Sequence, residues 1–206
     1  MPLPTTPARL YLDNAATSFP KPRAVTEAMT RYATDLGASP GRGAYRESRE
    51  AAELMWRCRE RLCTLINGEK PEHIVFTLNT SDALNLAIRG LLDGRDRPHV
   101  VTTHMDHNSV LRPFNALTDD GAIEQTRVPV DPDTGIVDPD DIRRAIRPNT
   151  KLVAAVHASN VTGSLQPIGA IGRVCRECAV PLLVDAAQTI GHLPIDVQDD
   201  CIDLLA

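Results

Sequence analysis

The sequence predicts an α/β domain with a mostly parallel sheet flanked by helices, and three observations carry that prediction. Short apolar runs alternate with stretches of helical periodicity along nearly the whole chain, which is the order that βαβ units leave in a sequence. The runs are apolar at consecutive positions, as in Leu182-Leu183-Val184, which fits strands covered on both faces. Polar residues gather just after the runs, Asp185 and Gln188 among them, where open α/β sheets bind ligands beyond the carboxyl ends of their strands.

Taken in order, a proline-rich lead opens the chain and Tyr11-Leu12 reads as a short strand entering the loop Asp13-Asn14-Ala15-Ala16-Thr17. Asn14 and the small Ala15 would let another molecule approach the backbone there, the alternative being a plain Asx-type turn. Residues 22–36 are expected to form a first helix, and the glycines and proline of 37–43 a loop around Arg42. From 48 to 66, Ala51, Leu54, Met55, Cys58, Leu62, Leu65 and Ile66 recur at helical spacing and predict a buried face. Asn67-Gly68 would end that helix by tolerating a left-handed conformation.

Ile74-Val75-Phe76 reads as a short buried strand, followed by a helix through Leu91 that turns Leu84, Ala87, Ile88 and Leu91 inward. Thr80 and Ser81 stand at its start. Free N–H groups and the positive end of the helix dipole favour a phosphate there, although hydroxyls at that place are also ordinary caps. Residues 99–103 form the next strand, closed by His104-Met105-Asp106-His107-Asn108 before another helix. Two histidines with an aspartate could suggest a metal, but His104 and His107, i and i+3 across a strand-to-helix junction with no third ligand marked, make a poor site, and a flat imidazole suits stacking on a planar ring.

Residues 123–130 run extended into the turn 131–135. Pro139 opens a helix over 140–146, and a strand over 151–156 ends in His157-Ala158-Ser159-Asn160. The helix 168–178 leads to the strand 182–184, after which Asp185 either caps its turn or faces a ligand. Residues 202–205 make a further strand. Thr80 with Ser81, His107, Asn160 and Asp185 with Gln188 each follow an apolar run, so one crevice could gather an anion site, an imidazole, an amide and a carboxylate. Such a crevice suits an anionic heteroaromatic cofactor.

Composition narrows the class. With 42% apolar and 24% charged residues over 206 positions, the chain can build one substantial core. A net charge of −5 without a dense Lys/Arg block argues against nucleic acid or an anionic membrane as the main partner. No apolar run is long enough to cross a bilayer, and residues 1–10 lack the apolar core of a secretion signal. A cytoplasmic location is therefore expected. Five scattered cysteines do not resemble a disulfide framework. Cys175 and Cys178 spell C-x-x-C but lack the second pair of a zinc site, so no metal is expected.

Six segments together carry a resemblance: Tyr-Leu-Asp-Asn-Ala-Ala-Thr at 11–17, Gly41-Arg42-Gly43, Asn-Thr-Ser-Asp-Ala-Leu-Asn at 79–85, Met105-Asp106-His107, His-Ala-Ser-Asn-Val-Thr-Gly at 157–163 and Val-Asp-Ala-Ala-Gln at 184–188. The combination resembles class V aminotransferase-fold enzymes, nearest their cysteine desulfurase and selenocysteine lyase branch. The resemblance implies an incomplete large domain of the aspartate aminotransferase-like, pyridoxal 5′-phosphate (PLP)-dependent transferase fold over residues 21–206. Residues 1–20 would supply an N-terminal segment and a substrate-side loop, and the small C-terminal domain would be absent.

By the same resemblance, Thr80 and Ser81 would hold the cofactor phosphate and His107 would stack on its ring. Asn160 and Gln188 would bond its phenolic oxygen or nearby substrate, and Asp185 would pair with the ring nitrogen. Asn14, Ala15 and Arg42 would line the substrate end. A homodimer, a cysteine substrate and a sulfur-acceptor protein are implied for the intact protein. The family's Schiff-base lysine is not matched by Lys21, Lys70 or Lys151, and none of the five cysteines matches its persulfide-forming cysteine. The expected function is thus the N-terminal part of a PLP-dependent cysteine desulfurase-like enzyme. The alternatives are a class V relative acting on another amino acid, or a non-catalytic binding protein of the same fold.

Overall fold

A computed structural model describes residues 10–92 and 96–206, so the proline-rich lead at 1–9 lies outside the described residues. The chain divides into two compact units, Met1–Arg57 and Cys58–Ala206. In the first, α1 (Arg23–Arg31) continues as a π-helical turn, Tyr32–Leu36, and stops at Gly37, whose φ of 53° is left-handed. Its N–H bonds the Tyr32 carbonyl at 2.7 Å, closing the helix end. Tyr11 and Leu12 form no strand. The Tyr11 hydroxyl instead donates to the carbonyls of Asp13 and Thr17, folding the segment back on its own loop, and Leu12 stays exposed.

Helix α2 (Arg46–Leu65) begins in the first unit and ends in the second. Its expected buried face is only partly realised: Ala51 and Cys63 are buried, whereas Leu54, Met55 and Leu65 are exposed. Periodicity identifies an apolar stripe, not what covers it. Ile74-Val75-Phe76 likewise forms no strand. The backbone at Ile74 is extended, but no ladder pairs with it, and Val75 and Phe76 are exposed.

The second unit holds a five-stranded parallel sheet in the order β2-β1-β3-β4-β5. Its strands are β1 (His99–Thr103), β2 (Glu124–Val128), β3 (Thr150–Val156), β4 (Leu182–Asp185) and β5 (Leu204–Leu205), interleaved with α3 (Thr80–Leu91), α4 (Asn108–Asp119), α5 (Pro139–Ala145) and α6 (Ile168–Glu177). Alternation along each strand separates two cores. Val101, Val153, Ala155, Leu182 and Val184 pack with α5 and α6 through Ile142, Ile171 and Val174. Val100, Leu152, Ala154 and Leu183 pack with α3 and α4 through Leu84, Ile88 and Phe114. Both faces are therefore covered, as the uninterrupted apolar runs require.

Of the residues expected to face inward on α3, Leu84 and Ile88 are fully buried, while Leu91 is exposed and Leu92 takes the buried place just beyond the helix. No described helix is long and apolar enough to cross a membrane. From β1 the chain moves to one side of the sheet for β2 and to the other for β3, β4 and β5. The strand order thus reverses between β1 and β3, the point at which such sheets open a crevice.

Candidate functional site

All six residues expected to hold a cofactor line a single cleft of about 150 Å³: Thr80, Ser81, His107, Asn160, Asp185 and Gln188. Ser109, Val156, Ala158 and Ala187 complete it. The six arrive from four places, the start of α3, the start of α4, the segment that follows β3 and the end of β4 with the residues that follow it, and the reversal of strand order brings those ends together.

Asp185 is the last residue of β4, in register with Val156 of β3, and is 4% exposed. Its Oδ1 accepts the Ala187 N–H at 3.1 Å, so the turn-capping bond forms. Its second oxygen receives no hydrogen bond from the described residues. Burial holds this carboxyl above the ordinary carboxylate range, opposed by the Ala187 N–H and by nearby His107. A buried carboxylate with spare acceptor capacity is suited to a cationic N–H donor.

At the start of α3 the cap is Asn79, whose Oδ1 accepts the Asp82 N–H at 2.9 Å. Capping is therefore not the task of Thr80 or Ser81. The Thr80 hydroxyl is uncommitted among the described residues, and Ser81 shares a 2.6 Å hydrogen bond with Ser109. His107 caps α4 in turn: its Nδ1 accepts the Ser109 N–H at 3.1 Å. An acceptor at Nδ1 places a ring N–H on Nε2. A second groove of about 500 Å³ shares Ser81, His107 and Ser109 and adds Arg89 and Arg112. Neither arginine has an acidic partner among the described residues, which favours an anion nearby.

Asn160 is exposed and Gln188 half-buried, and neither side-chain amide is committed to another described residue. His104, by contrast, is exposed and does not line the cleft. Asn14, Ala15 and Arg42 belong to the first unit and are exposed; the Asn14 Oδ1 accepts the Phe19 N–H at 3.1 Å and so closes its own loop. Lys151 stands at the amino end of β3, the opposite end from Val156 at the cleft. Lys70 pairs with the neighbouring Glu69, and Lys21 donates to Thr17.

Three residues of the site escape a reading of the sequence. Asn79 could have been chosen as the cap from its place before Thr80. Ser109 is an unremarkable serine two residues past His107, and only the meeting of α3 with α4 gives it Ser81 as a partner. Asp106 is 6% exposed and accepts backbone N–H groups from Thr103 and Val156, each at 2.6 Å. An acid three residues past the end of a buried strand was the signal.

The profile of the Aminotransferase class-V family matches residues 10–206. The chain is 39% identical over 189 residues to a probable cysteine desulfurase of Methanothermobacter thermautotrophicus, covering 92% of this chain and 46% of that protein. It is 38% identical to the cysteine desulfurase IscS of Vibrio campbellii, covering 96% of this chain and 49% of that one. The chain thus spans about half the length of the curated relatives it matches. Among solved structures, SspA in complex with cysteine superposes with a TM-score of 0.88 at 34% identity, over 95% of this chain and 55% of that one. The apo cysteine desulfurase of Thermococcus onnurineus NA1 superposes with a TM-score of 0.87 at 34% identity, over 95% and 48%.

Proposed function

The chain belongs to the class-V aminotransferase family, and from that premise we propose that it forms the cofactor-binding part of a PLP-dependent cysteine desulfurase. The observation that carries this reading is the cleft itself, where a buried carboxylate, an imidazole, two amides and the hydroxyls of Thr80 and Ser81 converge. The donor set fits the cofactor. An anion has the start of α3 with Thr80 and Ser81, a protonated ring nitrogen has the under-used oxygen of Asp185, and a phenolic oxygen has the amides of Asn160 and Gln188.

When bound, the cofactor supplies an electron sink that stabilises a carbanion at the substrate α-carbon. Asp185 would keep the proton on the ring nitrogen, using a charge that burial otherwise disfavours. His107 would cover one face of the ring, its edge fixed by the cap to Ser109. Thr80 and Ser81 would hold the phosphate, and Asn14, Ala15 and Arg42 would serve the substrate end. In the proposed reaction L-cysteine becomes L-alanine and its sulfur atom passes to a thiol, giving a persulfide that an acceptor protein takes up. The names of the relatives support cysteine as substrate. The five unpaired cysteines are in keeping with a reducing cytoplasm, and a homodimer follows from the family reading.

The test is an absorbance titration of the 206-residue chain with PLP. Saturable binding is expected, weakened about 10- to 100-fold by Asp185→Asn, the size of one charge-assisted hydrogen bond. Binding unaffected by that substitution would sink the reading.

A further inference from the structure

The pairing of β1 with β3 ends at Val101 and Val153. Yet β1 stays paired with β2 as far as Thr103, and β3 with β4 as far as Asp185. The two central strands therefore part over their last residues, at the reversal of strand order and on the floor of the cleft. A buried parting of this kind would leave backbone N–H groups without partners. Asp106 supplies them: Oδ2 accepts from Thr103 at the end of β1, and Oδ1 from Val156 at the end of β3.

Both neighbours of that bridge belong to the site. Val156 lines the cleft and is the register partner of Asp185, while the residue after Asp106 is His107. Any shift of Asp106 is passed directly to the imidazole, whose own hold on α4 is one cap bond and one contact with the Ser109 hydroxyl. We propose that Asp106 is a positioning residue: by tying the ends of β1 and β3 together, its carboxylate sets the orientation of His107 within the cleft. Burial, together with the charge of Asp185, makes an ionised Asp106 costly, and the two backbone N–H groups offset that cost.

The cofactor readout of the test rests on the PLP reading, and the ring readout does not. The full chain, labelled with ¹⁵N-histidine, is compared with Asp106→Asn by NMR at pH 8, and both are titrated with PLP. In the wild type, the His107 ring is expected to show one neutral tautomer with the proton on Nε2. In Asp106→Asn, whose amide sets an N–H₂ against one backbone N–H, the His107 shifts are expected to average between tautomers and PLP affinity to fall about tenfold. Should Asp106→Asn fail to fold, Asp106→Glu carries the same comparison, since it keeps both oxygens but displaces them by one methylene. A variant that melts earlier yet keeps the wild-type His107 shifts would show Asp106 to be structural only and overturn the proposal. If the wild type does not bind PLP at all, the cofactor reading fails, and the His107 shifts alone decide the role of Asp106.

Discussion

Asp185 and Asp106 are two carboxyls that the fold keeps from water, and both are held above the usual carboxylate range by burial, Asp106 at about 7. A carboxyl whose folded pKa lies above its unfolded value contributes stability that is complete below the unfolded value and is lost as pH rises through the folded one. For Asp106 that window runs from about 3.8 to about 7. The melting temperature of the wild type relative to Asp106→Asn should therefore fall as pH rises from 5 to 8, Asp185 and His107 being present in both. A difference independent of pH would mean that Asp106 ionises normally. For Asp185 the same sign predicts a trade-off: Asp185→Asn should raise the melting temperature of the ligand-free chain at pH 8 while weakening PLP binding. The sequence made Asp185 legible because a charge ending an apolar run is conspicuous. Asp106 lay in plain view but was weighed as a metal ligand, since nothing local reveals that β1 and β3 part above it.

At the scale of elements, two rival uses of the α3 start can be separated. Asn79→Ala should cost about 1 kcal/mol of stability as a lost cap. Thr80→Ala should change stability by less than about 0.5 kcal/mol while lowering PLP affinity, as read in the same titration. The reverse pattern would return Thr80 to the role of cap. At the amino ends of the strands, His99 is buried and bonds Thr150 of β3 and Thr126 of β2, each at 2.8 Å. Denaturant unfolding of His99→Ala should show a loss of about 2–4 kcal/mol from lost hydrogen bonds and a cavity; a smaller loss would mean that the ladders alone hold the three strands. Strands buried on both faces were legible, as the apolar runs of β1, β3 and β4 show. Tyr11-Leu12 and Ile74-Val75-Phe76 were not, because a strand exists only where another backbone pairs with it, and β-propensity carries no information about that neighbour.

For the whole molecule, the parallel order and the convergence of six polar residues on one cleft followed from the alternation of elements, since such a sheet gathers its strand ends at one edge. The destination of the apolar stripe on α2 did not follow: Leu54, Met55, Trp56 and Leu65 are exposed, as are Val75, Phe76 and Leu78. Apolar surface on this scale predicts that the 206-residue chain expressed by itself self-associates at micromolar concentration, which light scattering would detect; a monodisperse monomer would contradict it. The central claim is that the cleft holds PLP with its ring nitrogen against Asp185. The most direct test is ¹⁵N NMR of ring-labelled PLP bound to the chain at pH 8. A protonated ring nitrogen in the wild type that becomes unprotonated in Asp185→Asn is the predicted result. An unprotonated nitrogen in the wild-type complex, or the same signal in both proteins, would contradict the account.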